Sequence, residues 1–139
     1  MYEQRFSRYV IGGVITAIVA AALAVFTFLI FSFISGYEVK FIGSNQDTLY
    51  VGVIIGASVV SILLGAVLFY AFNRWTKKPI VWFGVLVLIA FIGNTVMAEN
   101  DLQAQFKLVA HTIHVIVALS AFLLIPKLTK KSKARNILK

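Results

Sequence analysis

Four stretches of the chain, residues 9–37, 48–73, 79–98 and 108–126, carry no charged side chain, and every Asp, Glu, Lys and Arg falls between or outside them. A helix rises about 1.5 Å per residue and the hydrocarbon layer of a membrane is about 30 Å thick, so about 20 apolar residues span it. Each stretch is long enough. None shows the residue-by-residue alternation of a barrel strand, which leaves the helix as the structure that satisfies its own backbone hydrogen bonds in hydrocarbon. The pattern predicts an all-α integral membrane protein, an antiparallel four-transmembrane-helix bundle with spans near 9–34, 50–72, 80–97 and 106–125. Residues 127–139 follow as a basic tail, and one membrane domain covers 1–139.

Composition sharpens this picture. Of 139 residues, 60% are hydrophobic and 13% charged, against roughly 45–50% and 25% in soluble domains. The mean hydropathy is +0.93. With no Cys, a disulfide-stapled secreted domain is excluded, as are a soluble enzyme and a disordered chain.

Basic residues orient the bundle, because Lys- and Arg-rich segments stay cytoplasmic. Arg5 and Arg8 precede the first span; Arg74, Lys77 and Lys78 join the second to the third; Lys127, Lys130, Lys131, Lys133, Arg135 and Lys139 follow the fourth. Only Lys40 and Lys107 lie on the opposite side, with Glu38, Asp47, Glu99 and Asp101. Both termini are thus expected inside, with the basic residues fixing topology and touching anionic lipid headgroups rather than nucleic acid. The first apolar run is about twice a signal-peptide core, so it reads as an uncleaved anchor. Pro79 suits the first turn of the third helix, and Pro126 is expected to end the fourth.

Membrane helices associate through close backbone approach at small residues. Gly13, Ala17 and Ala21 on the first span, facing Gly52 and Gly56 or Ala57, Ser61 and Gly65 on the second, predict that these two helices form the tightest pair. The same seams would also suit a homodimer. Residues 35–49 hold turn formers and make the one long connection, read as a solvated loop.

Candidate chemistry concentrates on the fourth span. His111 and His114 are separated by three residues, which places them about 60° apart on one helix face. Gln103, Lys107, His111, His114, Ala118 and Ala121 continue that face as one polar and small stripe, and Asn94 and Thr95 on the third span reach its level. Ionisable groups at such depth mark functional sites. The candidate ligand-binding residues are therefore Asn94, Thr95, Lys107, His111 and His114, in a polar pocket that binds a small ligand or relays protons. The alternative is that both imidazoles simply hydrogen-bond between helices as packing. A metal or haem on His111 and His114 is undersupplied with ligands unless two copies pair. No catalytic signature emerges: Gly12 and Gly13 lack the context of a phosphate loop, and Ser58, Ser61 and Ser120 show no partnered base.

The run Arg74 to Phe83, the third span closing near Asn94, and a fourth span with His111, His114 and a final Ile125 and Pro126 resemble an uncharacterised family of small four-span bacterial membrane proteins. That resemblance implies a bacterial inner membrane, agrees with the four-span topology and carries no assigned activity; no cofactor is expected. Two expectations follow. One is a non-enzymatic protein accessory or modulatory to a larger membrane assembly. The other is a bundle, possibly dimeric, that binds or transports a small ligand at Asn94, His111 and His114.

Overall fold

A computed structural model describes residues 5–130. They form four helices: α1 (Phe6–Ser35), α2 (Val51–Trp75), α3 (Pro79–Asp101) and α4 (Ala104–Thr129). All four are long and apolar enough to cross a membrane, and the described residues contain no strand. Lys131, Lys133, Arg135 and Lys139 of the basic tail lie outside the described residues.

The helices run a few residues past the predicted spans because backbone chemistry, rather than hydropathy, ends them. α1 stops at Gly36, whose φ of 71° is left-handed and whose N–H reaches back to the Ser32 carbonyl. Only glycine adopts that conformation without strain. α3 begins at Pro79, whose missing N–H is not required in a first turn.

Pro126 does not end α4, contrary to expectation. The helix continues to Thr129, and the Lys130 N–H bonds to the Pro126 carbonyl at 3.2 Å. Proline removes the bond to the carbonyl four residues earlier but leaves its own carbonyl free to continue the turn. The Thr129 hydroxyl adds a 2.7 Å bond to the Ile125 carbonyl, and Thr129 packs buried within reach of Gly12 on α1.

The bundle has two distinct ends. At one, here the loop end, the Tyr37 hydroxyl donates to the Gln105 carbonyl at 3.0 Å and the Gln103 amide donates to Asp47 Oδ2 at 2.8 Å. The 36–50 connection is thereby tied to the start of α4. At the other, the terminal end, the rings of Phe6, Tyr9 and Tyr70 stack edge to face at 5.1 and 5.2 Å, beside Arg74, which donates to the Tyr70 hydroxyl at 3.3 Å.

α1 is the central helix. It packs most extensively on α2 and next on α4, through a stripe of Gly13, Thr16, Ala17, Ala20, Ala24 and Phe28. The expected α1–α2 pairing is present, and Gly13 makes it possible: a Cβ there would stand 2.7 Å from the Ala66 Cβ. The α2 side of the seam is not the one expected. Ile62, Ala66 and Phe69 are buried against α1, whereas Gly56 meets open space and Ala57 and Ser61 are exposed. α3 is peripheral, with Phe83 and Ala98 its only buried side chains.

Candidate functional site

α2 and α3 touch far less than α1 and α2 do. Between them opens a groove of about 630 Å³, floored by α4, a size typical of small-molecule sites, which run about 300–1,000 Å³. The line of Ala57, Ser61 and Gly65 that sequence assigned to helix pairing lies on its α2 wall. Small side chains there leave space instead of closing it.

The lining is graded along the helix axes. Gln46 and Asp101 stand at the loop-end mouth, and Ser58, Ser61, Asn94 and His114 form a band further in. Leu68, Phe83 and Leu86 make an apolar base. Ser58 is seven residues from the start of α2 and Asn94 seven from the end of α3, so the band sits about 10 Å inside the helix ends.

The predicted stripe on α4 divides into three. Gln103 bonds to Asp47. Lys107 and His111 turn to Glu99 at the end of α3, with Lys107 Nζ 3.1 Å from Glu99 Oε2 and His111 Nε2 2.6 Å from Glu99 Oε1. His114, Ala118 and Ala121 line the groove. Asn94 shares the groove with His114, while Thr95, Lys107 and His111 are not part of its lining. The five predicted ligand-binding residues therefore occupy two adjoining places.

Glu99 is the residue that sequence reasoning left out as a loop acid. Its signal was present: α3 continues to Asp101 and the connection is only Leu102 and Gln103, so an acid there meets side chains two turns into α4. A carboxylate only accepts hydrogen bonds, so His111 presents Nε2–H to Glu99 and leaves Nδ1 on the far side of the ring. That Nδ1, the His114 Nδ1 and the Thr95 hydroxyl are buried and find no hydrogen-bond partner in the protein. The two imidazole centroids are 6.3 Å apart. Buried polar atoms without partners are costly and rare, and they concentrate where a guest or a chemical role accounts for them.

Among the described residues no three His, Asp or Glu side chains converge as a metal site, and the two histidines belong to different local environments.

The chain matches the Family of unknown function (DUF6069) over residues 4–134 and belongs to it. No curated protein and no solved structure matches the chain. Together with the four apolar helices, this makes it a small multi-pass membrane protein of an uncharacterised family.

Proposed function

For this member of the family, we propose a non-enzymatic membrane protein that binds one amphiphilic molecule in the groove between α2 and α3. The observation that carries the reading is the polarity gradient of the groove. A polar group on the ligand hydrogen-bonds in the band of Ser58, Ser61, Asn94 and His114, and its apolar tail lies against Leu68, Phe83 and Leu86 or leaves between the two helices into lipid. Few convergent polar groups on an apolar wall are what orients a small ligand.

The same reading includes the orientation. Arg5, Arg8, Arg74, Lys77, Lys78, Lys127 and Lys130 gather at the terminal end, which supports an antiparallel bundle with both termini in the cytoplasm of a bacterial inner membrane. Arg5 and Arg8 line a cavity of about 270 Å³ beside Leu128, at a level suited to anionic headgroups. Because the chain has no Cys, single cysteines introduced at Ser7 and Ser44 report the two sides by impermeant labelling. Labelling of Ser7→Cys from outside intact cells would refute this orientation.

Native mass spectrometry of protein taken from its membrane in lipid nanodiscs tests the ligand. The expected result is one amphiphile retained per chain through detergent exchange and lost in Ser61→Trp, which fills the groove from an exposed position. Absence of any retained molecule, together with no uptake of a spin-labelled fatty acid, refutes the reading. A second polypeptide, retained by the native chain and lost in Ser61→Trp, would refute it in favour of an accessory subunit whose groove holds a partner's helix.

A further inference from the structure

We propose that Glu99, His111 and His114 form a path that carries protons between the loop-end surface and the groove, so that occupancy of the groove is linked to protonation. The path has an exposed entrance, since the Glu99 side chain is 51% accessible. It passes through a hydrogen bond of 2.6 Å to His111 Nε2. On the far side of that ring Nδ1 is buried and unpartnered, as are His114 Nδ1 and the Thr95 hydroxyl. Thr95 lies one turn from Glu99 on α3, and His114 nearly one turn from His111 on α4, each further from the connection between the helices. Ring centroids 6.3 Å apart are the separation that one water, hydrogen-bonded to both rings, spans in the proposed path. His114 then opens on the groove.

Among the described residues, no other titratable group reaches this depth. α1 has none between Tyr9 and Tyr37, α2 none between Tyr50 and Tyr70, and α3 none between Lys78 and Glu99. At the loop end, Lys107 holds the second oxygen of Glu99, Asp47 accepts from Gln103 through Oδ2 while its Oδ1 is buried without a partner, Glu38 pairs with Lys40, the Tyr37 hydroxyl bonds to Gln105, and Asp101 stands at the groove mouth.

The steps balance. A proton on His114 passes through the bridging group to His111 Nδ1, and the imidazolium so formed gives its Nε2–H to Glu99. Glu99 releases the proton to solvent, leaving His111 as the Nδ1–H tautomer. From that Nδ1–H tautomer, whose Nε2 lone pair accepts a proton from Glu99, the same steps run backwards and return His111 to its Nε2–H form with the proton on His114. The proposal rests on the groove reading only for what the proton serves, because the path itself is measurable without ligand.

The test is nitrogen NMR of the full chain in nanodiscs, labelled at histidine, between about pH 5 and pH 9, the window in which imidazole titrates. Solvent exchange of the His114 ring proton should slow by about tenfold or more in Glu99→Gln and in His111→Phe, the scale of a lost positioned proton carrier. Circular dichroism confirms that the variants are folded, and the milder Glu99→Gln decides if His111→Phe is not. A His114 ring that stays neutral throughout, or exchange unchanged in a folded variant because protons enter by the groove mouth, overturns the proposal. Fatty-acid uptake on the same samples separates the two readings: uptake with unchanged exchange leaves the groove and removes the path, and slowed exchange without uptake does the reverse.

Discussion

Gly13 and Ala66 meet so closely that a methyl group on Gly13 would stand 2.7 Å from the Ala66 Cβ. This contact sets the distance between α1 and α2, and the Ala66 Cβ is fixed directly to its helix backbone, unlike the end of a long side chain that could move aside. Gly13→Ala is expected to cost about 1–3 kcal/mol through overpacking, read as a lower thermal midpoint in detergent. Gly65→Ala provides the control: its nearest neighbours, Ile125 and Phe83, would lie at 3.7 and 3.8 Å. That variant should melt no lower than the native chain. Equal effects at the two positions would show that α1 and α2 are not the tight pair.

Gly36 and Gly56 separate backbone strain from packing. Neither has an atom within 4 Å of a built Cβ, but Gly36 has a φ of 71° and Gly56 is helical. Gly36→Ala should destabilise by about 1 kcal/mol, while Gly56→Ala should be neutral or stabilising. Thermal melts of the two variants side by side check the sign.

The 36–50 loop is held to α4 by Asp47, which accepts from the Gln103 side chain at 2.8 Å and, through its backbone carbonyl, from the Gln103 N–H at 3.1 Å. Asp47→Ala removes the first bond and keeps the second. Hydrogen exchange should therefore quicken in residues 41–50 and at the start of α4, with the centres of the helices unchanged. Exchange unaltered in both segments would show that the tie is not what holds the loop.

Thr16 is fully buried and donates to the Gly12 carbonyl one turn back, at 2.7 Å within its own helix. Thr16→Val keeps the shape and removes a bond whose acceptor still serves the helix ladder. A loss below about 1 kcal/mol is expected. A larger loss in the same detergent melt would mean that the hydroxyl also joins helices.

The fourth helix shows where reading the chain alone reaches its limit. His111 and His114 were identifiable as deep imidazoles on one face, and three residues of separation do bring their rings to 6.3 Å. Their partners were not identifiable. Asn94 and Thr95 were matched to His111 by depth, yet Glu99 reaches it, because α3 runs one turn further than its apolar stretch. Ser61 looked like a packing residue for the same reason that it lines a groove: a small side chain permits either close approach or empty space, and the position of the neighbouring helix decides which.

Sequence alone settled the number and approximate extent of the helices, because each apolar segment must satisfy its backbone within itself and so answers to local composition. It also settled which connections carry the basic residues. The tertiary arrangement decided that α1 is central and α3 peripheral, that α2 and α3 part to leave a groove, and that Glu99 claims His111. In lipid a side facing the bilayer is as apolar as one facing another helix, so hydropathy does not distinguish them, and only the packed positions of the helices do.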